Sequence, residues 1–325
     1  MSDFTDNVKR QKLYDNFLDD VKPLLKYFDD KTLTDIYVNP SGEIVTESFV
    51  SGKIFTNELI DEYQVTAIIK SAAALIGWKI DPTLPVPKVE GVLPKPYNFR
   101  FTGILPPASP IPCIALRRPS EKIFTLEDYI EQGRLSKADY NVICSTIKKR
   151  GNILVGGQTG SGKTTFTNAV IAKMVEYTPY DRFYIVEDVP ELVCNARDCV
   201  KLLAVNPENA ASELVQESLR FTPKRIIFGE IRYPKVAFDY VTALNTGHVG
   251  NVTTIHANSA ESMIPRMQNL YCQATGNSIL PDFNDIFALC VHLNATNKGP
   301  KIDKVLQLRK QTLSFIEELK ANHFA

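Results

Sequence analysis

The sequence predicts an α/β protein in which a smaller α+β domain precedes a second domain built on a doubly wound, mainly parallel sheet. The first observation is size and composition, since 325 residues of which 44% are hydrophobic can fill two ordinary globular cores. The second is a mixture of helical and strand-like segments near the start of the chain. The third is a regular alternation of strands and helices further along, which is typical of a parallel sheet covered by helices on both faces. The alternating segments are 152–156, 164–175, 182–187, 210–220, 224–229, 233–245 and 250–255.

The opening part of the chain carries signs of both helix and strand. Apolar residues recur at helical spacing over 6–28. Strand-like runs then alternate with turn sequences such as Asn39-Pro40-Ser41-Gly42 and Ser51-Gly52. The predicted strands are 33–38, 42–45 and 53–55, and a second helix is expected from about 60 to 77.

Prolines mark the region that joins the two domains. Residues 82–112 contain nine of the twenty prolines, which excludes regular helix and favours edge strands and loops. Two strand-like pieces, 99–103 and 114–119, each carry arginine near a strand end.

A short helix should follow this region. Thr125 and Asp128 have the spacing of a capping box, which predicts a helix that runs to about Glu131. A further helix is expected near 137–149. The predicted organisation is an N-terminal α+β domain over 1–115, a linker over 116–135 and an α/β domain over 136–325.

A glycine-rich segment between a predicted strand and a predicted helix carries the strongest functional signal. It has every position of a phosphate-binding loop, in which glycines let backbone N–H groups wrap phosphates and the helix N-terminus adds positive charge. Lys163 would neutralise charge on the β- and γ-phosphates, and the Thr164 hydroxyl would ligate Mg²⁺. The segment therefore predicts binding of a nucleoside triphosphate. The predicted phosphate-binding residues are Gly157, Gln158, Thr159, Gly160, Ser161, Gly162, Lys163, Thr164 and Thr165.

Two later strands end in acidic residues. Glu187 follows an apolar strand, as expected where a strand end faces Mg²⁺ and the γ-phosphate, so it is a candidate metal ligand and catalytic residue. Glu230 ends another apolar strand and is the better candidate to polarise the attacking water. No aspartate precedes Glu230, so Mg²⁺ would depend on Thr164, waters and Glu187.

Two of the four histidines bracket one predicted strand. His248 precedes this strand, and His256 lies at its C-terminal edge. His256 is therefore predicted to sense or stabilise the γ-phosphate.

The charge balance and the cysteine pattern bear on the ligands and the cellular location of the protein. The 37 Lys and Arg balance 37 Asp and Glu, so direct nucleic-acid binding is not expected and a DNA or RNA translocase is disfavoured. No signal peptide or transmembrane segment is predicted. The six cysteines include no Cys-x-x-Cys pair and are interpreted as reduced thiols of a cytoplasmic protein.

The acidic and histidine clusters, in this order after the phosphate loop, resemble those of the traffic ATPases of type II and type IV secretion systems. In this resemblance Glu187 to Glu191 form an Asp box, Gly229-Glu230 an atypical Walker B motif, and Gly247 to Asn258 a His box. Segments 33–43, 100–107 and 123–129 look most like the conjugative-transfer branch typified by TrbB and its VirB relatives. The tetracysteine motif of the type II branch and the Ala-Ile-Arg-Ala-Gly signature of retraction motors are absent from the sequence.

The resemblance implies a mechanically coupled ATPase that uses ATP and Mg²⁺. It also implies a homo-hexameric ring of subunits, each with a PAS-like N-terminal domain and a RecA-like P-loop domain. ATP would then lie at the junction of the two domains, where Arg100, Arg117 and Arg118 are candidates to reach the γ-phosphate. The implied location is cytoplasmic, peripherally associated with the inner membrane through other secretion-system components.

Alternatives remain open at the level of sequence. A pilus assembly or retraction motor would share the same motifs, and a slowly hydrolysing, nucleotide-gated assembly factor would fit the missing Walker B aspartate. The last segment, about 306–325, is expected to form an amphipathic helix that makes packing or subunit contacts.

Overall fold

Two compact units make up the chain. The computed structural model describes residues 2–48, 51–118, 123–204, 207–276, 280–296 and 299–308. The contacts between residues divide the chain into a first unit, Met1–Glu121, and a second unit, Lys122–Ala325. This division falls inside the predicted linker 116–135, and part of that linker packs in the hydrophobic core of the second unit through Leu126, Tyr129 and Leu135.

The first unit is an α+β structure around one antiparallel sheet. Its strands lie in the order β3-β2-β1-β6-β5-β4, and the helices bury Phe17, Val65 and Ile69 with the apolar residues of the strands. The elements are α1 (Ser2–Asp20), α2 (Leu25–Asp29), β1 (Leu33–Val38), β2 (Glu43–Ser48), β3 (Gly52–Leu59), α3 (Glu62–Ile76), β4 (Lys88–Val92), β5 (Arg100–Ile104) and β6 (Cys113–Arg117).

The first predicted helix is interrupted. The chain forms α1, then a 3-10 turn at Lys22–Leu24, and only then α2, instead of one helix over 6–28. Pro23 lies at the start of the 3-10 turn, and proline lacks the N–H that a continuous helix needs. The proline-rich region holds one edge strand, β4, as predicted, but the two strand-like pieces expected at 99–103 and 114–119 form β5 and β6 inside the sheet, where the strands themselves contain no proline.

The second unit contains the predicted doubly wound sheet. The order β13-β12-β7-β11-β10-β8-β9 is parallel throughout except for the antiparallel pair β12 and β13. The strands are β7 (Ile153–Gly157), β8 (Phe183–Glu187), β9 (Cys199–Leu203), β10 (Arg225–Ile231), β11 (Val252–His256), β12 (Leu289–Thr296) and β13 (Gly299–Gln307). The helices are α4 (Leu126–Glu131), α5 (Lys137–Lys148), α6 (Lys163–Tyr177), α7 (Pro207–Ser218), α8 (Pro234–Asn245), α9 (Ala260–Thr275) and α10 (Phe283–Ile286).

Helices cover both faces of this sheet. Ile153 and Val155 of β7 belong to the core beneath α4, α5 and α6, whereas Leu154 belongs to the core beneath α7, α8, α9 and α10. Successive side chains of a strand point to opposite faces, so a central strand buried on both sides is apolar at every position. The capping box of α4 is confirmed, with Thr125 and Asp128 exchanging hydrogen bonds.

The amphipathic helix predicted over about 306–325 is not formed at its first residues. Leu306 lies in β13, not in a helix, and residues 309–325 of the predicted terminal helix lie outside the described residues. Among the described residues, no helix is both long and apolar enough to cross a bilayer.

A buried charge cluster links the loops before β7 and β8 to the first residue of β10. Arg225 is fully buried and donates from Nε to Asp181 Oδ2 at 2.9 Å and from Nη2 to Thr178 at 3.0 Å. Arg150 donates to the other Asp181 oxygen at 2.7 Å. Although burial raises the pKa of Asp181, Arg150, Thr178 and Arg225 together hold that pKa below its usual value.

Replacing Asp181 by Ala is expected to destabilise the fold by about 3 kcal/mol, because it leaves a buried guanidinium without its counter-charge. Chemical denaturation of the variant measures this. Asp198→Ala is the matched control, because Asp198 is half-exposed and lies 3.8 Å from Arg182, so an effect below about 0.5 kcal/mol is expected. Equal losses in the two variants would contradict the structural role assigned to Asp181.

Candidate nucleotide-binding site

The phosphate-binding loop joins β7 to α6, as the sequence predicts. Gly162 has φ +83°, and a Cβ there would lie 2.1 Å from Pro300 Cγ. Gly157 has φ +153°, and its Cβ would lie 2.4 Å from Ser161 Oγ and 2.5 Å from the Leu293 carbonyl oxygen. Both positions therefore require glycine to keep the loop in this path.

Several groups of the loop fit a phosphate and a magnesium ion. The N-terminus of α6 has no side-chain cap, which leaves its first turn to an external anion. The buried Ser161 hydroxyl has no hydrogen-bond partner among the described residues. Thr164 and Thr165 lie half-buried in the first turn of α6, where the Thr164 hydroxyl can ligate a metal beside the phosphates.

Lys163 folds back over the loop. Its Nζ donates to the carbonyl oxygens of Gly157 and Gln158, both at 3.1 Å, and lies 3.6 Å from Glu230 Oε1. Burial lowers the pKa of Lys163, and the Glu230 carboxylate opposes this shift. The ammonium group is thus held against the backbone of the loop.

Glu230 and His256 meet beside Lys163, although they come from different strands. Oε1 of Glu230 lies 2.8 Å from His256 Nε2, but it makes no well-aligned hydrogen bond within the described part of the chain. His256 Nδ1 lies 3.3 Å from Lys163 Nζ. Because an ammonium only donates, this contact fits a neutral imidazole with its proton on Nε2. The arrangement places a carboxylate, a neutral imidazole and an ammonium around one point.

Arg232 completes this group, and sequence reasoning did not single it out. Its Nε and Nη2 donate to Glu230 Oε2 at 2.8 and 2.5 Å, and its Nη1 lies 3.0 Å from Asp188 Oδ2. One oxygen of Glu230 is therefore fixed by a guanidinium while the other faces Lys163 and His256. The signal in the sequence was an arginine two residues after a carboxylate at a strand end.

Glu187 has other partners. Its Oε2 accepts from the backbone N–H groups of Glu191 and Leu192 at 2.9 and 2.8 Å, and its Oε1 lies 3.3 Å from Lys201 Nζ. Burial raises the pKa of Glu187, while the two amides and Lys201 act in the opposite direction. These contacts hold the loop after β8 in place, and metal binding by Glu187 stays a prediction.

The arginines expected near the γ-phosphate pair within the first unit. Arg117 donates to Asp35 at 2.8 Å, and Arg100 donates to Glu90 at 3.3 Å. Arg118 donates to the carbonyl oxygens of Leu33 and Phe28 at 2.9 and 2.8 Å and stacks on an aromatic ring. Contact of these arginines with nucleotide stays a prediction.

The second histidine of the pair is structural. His248 Nδ1 lies 3.2 Å from the carbonyl oxygen of Ala243, near the end of α8. His248 precedes the N-terminal end of β11, whereas the phosphate-binding loop lies at the C-terminal end. Asn251, also at the N-terminal end, donates to Asn152 at 2.9 Å and accepts from the Ile226 N–H. It thereby links three neighbouring strands at the edge opposite the site.

His256 is expected to titrate below the ordinary histidine pKa of about 6.5. Burial lowers the pKa of His256, and the positive charges of Lys163 and Arg232 lower it further. The Glu230 carboxylate acts in the opposite direction, but the pKa remains below its usual value. Protonation should therefore occur only as the pH falls below about 6.5, which leaves the ring neutral at pH 7. NMR titration of the nucleotide-free protein tests this, with His256→Gln identifying the resonance; a midpoint above 6.5 would contradict it.

The chain is similar to known proteins of secretion and conjugation systems. A family model described as type II/IV secretion system protein matches residues 81–303. Conjugal transfer protein TrbB of Rhizobium radiobacter is 33% identical, with 91% of this chain and 87% of the relative covered. Type IV secretion system protein VirB11 of Bartonella quintana is 28% identical, with 84% of this chain and 85% of the relative covered.

The X-ray structure of the Legionella pneumophila ATPase DotB has the same fold. The TM-score is 0.65 at 18% identity, with 92% of this chain and 83% of that chain covered. The family match, the TrbB relative and the two-unit fold with its phosphate-binding loop lead to one conclusion. The chain belongs to the type II/IV secretion system protein family.

Proposed function

We propose that the protein is a Mg²⁺-dependent ATPase that drives assembly of, or substrate transfer through, a type IV secretion or conjugation system. It acts as a homo-hexameric ring in the cytoplasm and associates with the inner membrane through other components of the system. The observation that carries the proposal is the convergence of Lys163, Glu230 and His256 at the phosphate-binding loop. The conjugal-transfer and type IV secretion names of its relatives support the process.

In the proposed reaction, water attacks the γ-phosphate of ATP to give ADP and phosphate. The loop amides and the N-terminus of α6 bind the phosphates, and Lys163 turns from its carbonyl partners to the β- and γ-oxygens. Mg²⁺ held by Thr164 supplies further positive charge when bound. Glu230 Oε1, which has no aligned hydrogen bond among the described residues, orients the water and accepts its proton.

The other two residues of the site prepare Glu230 and the phosphate for this step. Arg232 holds the second oxygen of Glu230, so the reactive oxygen keeps one direction. Neutral His256 can donate from Nε2 to a γ-phosphate oxygen and thereby report whether that phosphate is present. Neither role needs a charge change during the reaction.

A nucleotide-gated assembly factor with slow hydrolysis is the second candidate. Gly229 stands directly before Glu230, where many phosphate-loop hydrolases have a metal-binding aspartate. Glu187, the other predicted metal ligand, is engaged by two backbone amides and Lys201. Such a ring would form on nucleotide binding and turn over rarely.

Mass and transport measurements test the proposal. Light scattering with Mg²⁺ and a non-hydrolysable ATP analogue is expected to give six times the 36.4 kDa mass of one chain. In cells lacking the gene, the wild-type copy should restore conjugal transfer or secretion and Glu230→Gln should not. A monomeric mass would contradict the ring, and a defect in pilus retraction with intact transfer would favour a pilus motor.

A further inference from the structure

A cavity opens beside the phosphate-binding loop, on the side of His256. Its volume is about 540 Å³, enough for several waters or a phosphate group. The walls come from the loop, from the residues after β11 and from the first two turns of α9. The lining residues are Gln158, Thr159, His256, Ala257, Asn258, Ser262 and Arg266.

The charge of this cavity favours an anion. Among the described residues no acidic side chain lines it, whereas Arg266 contributes a guanidinium and Gln158, Thr159 and Asn258 contribute neutral polar groups. Glu261, the acidic residue nearest in the α9 sequence, pairs with Lys304. An anion entering the cavity would therefore meet donors and a positive charge.

Arg266 has no hydrogen bond or ion pair with any residue in the described ranges. This distinguishes it from Arg225, Arg232 and Arg150, which each pair with a carboxylate in the same unit. Ser262 and Arg266 are four residues apart on α9, so they share the face that borders the cavity. The exposed guanidinium keeps its full set of donors for a ligand.

The cavity adjoins the expected position of the γ-phosphate. Lys163 Nζ contacts the Gln158 carbonyl oxygen and lies 3.3 Å from His256 Nδ1, and both Gln158 and His256 also line the cavity. A phosphate that Lys163 contacts would therefore face the cavity, with Arg266 on the helical wall.

We infer that Arg266 binds the terminal phosphoryl group of the nucleotide, either as the γ-phosphate of ATP or as the inorganic phosphate left after its cleavage. The inference rests on the proposed ATPase function and assigns it a further phosphate-binding residue. Arg266 thereby distinguishes ATP from ADP, because ADP has no group that enters the cavity.

Equilibrium binding to Arg266→Gln tests the inference. Competition against a fluorescent ADP derivative gives the affinities for ADP and for a non-hydrolysable ATP analogue. Titration of inorganic phosphate onto the ADP-bound protein gives the affinity for phosphate. If Arg266 binds the γ-phosphate, the analogue loses about tenfold or more in affinity while ADP changes less than about twofold. If it binds the released product, only inorganic phosphate loses affinity. Arg220→Gln is the control, since Arg220 is an exposed arginine of the same unit that pairs with Glu217 outside the cavity.

The failures are distinguishable. If the wild-type protein binds none of the three ligands, the proposed function itself is wrong. If the wild type binds them and Arg266→Gln matches it for all three, or loses ADP as strongly as the analogue, the inference about Arg266 is overturned. Thermal melting of the two variants shows whether the fold is intact, and Arg266→Lys should recover part of the lost affinity because it restores charge without the planar donor set.

Discussion

Glu230→Gln is expected to reduce ATP turnover by about 10²-fold to 10⁴-fold while ATP still binds, since a positioned general base contributes an effect of this size. Oε1 of Glu230 is buried, lies 3.6 Å from Lys163 Nζ and lacks an aligned hydrogen bond in the described residues. Glutamine has the same shape but cannot take up a proton. Steady-state phosphate release and analogue affinity measure the two parts of the prediction.

Glu187→Gln is the matched control. Both carboxylates end parallel strands of one sheet and both are largely buried, but Oε2 of Glu187 already accepts two backbone N–H groups. We expect this variant to keep more turnover than Glu230→Gln. If Glu187→Gln abolished turnover and Glu230→Gln did not, the predicted role of Glu187 in metal binding would be favoured and the role of Glu230 would be wrong.

Lys163→Ala is expected to weaken ATP binding by at least about tenfold, and turnover by more. Charge-assisted hydrogen bonds are worth about 1.5–3 kcal/mol each, and Lys163 would contact phosphate oxygens that carry more charge in the transition state than in the ground state. Fluorescence competition with ADP and the ATP analogue measures the loss of affinity.

Lys173 provides the comparison on the same helix. Its side chain is as buried as that of Lys163, but its Nζ pairs with Glu127 and Glu176, both at 2.6 Å. Lys173→Ala should therefore lower the stability of the fold. Its nucleotide affinity should stay within about twofold of the wild type, a much smaller change than the loss of one charge-assisted hydrogen bond would cause. Equal affinity losses in both variants would show a general effect on α6 instead of a lost phosphate contact.

Local patterns explain why much of the second unit could be predicted from sequence. Central strands such as β8 and β10 are buried on both faces, so they stand out as apolar runs. The edge strand β9 is half-exposed, and β12 carries the buried His292 between apolar residues, so neither was predicted. Their positions depend on pairing with β8 and β7, which no local pattern records.

The same distinction applies to the site. Glu230 and His256 were predicted because strand ends of a parallel sheet meet at one edge. The hydrogen bonds from the Glu191 and Leu192 N–H groups to the Glu187 carboxylate were not predicted, because they depend on the path of the loop after β8. Arg266 likewise reaches the cavity only through the direction in which α9 leaves β11.

Steady-state ATP hydrolysis by the purified wild-type protein, with and without Mg²⁺, is the decisive measurement for the proposed ATPase. We expect Mg²⁺-dependent release of phosphate by the wild type, a loss of more than about tenfold in Lys163→Ala, and a loss of about 10²-fold or more in Glu230→Gln, which still binds the ATP analogue. Turnover in Glu230→Gln within about tenfold of the wild type, or nucleotide binding by the wild type without any turnover, would contradict the assignment of Glu230 as the residue that activates water.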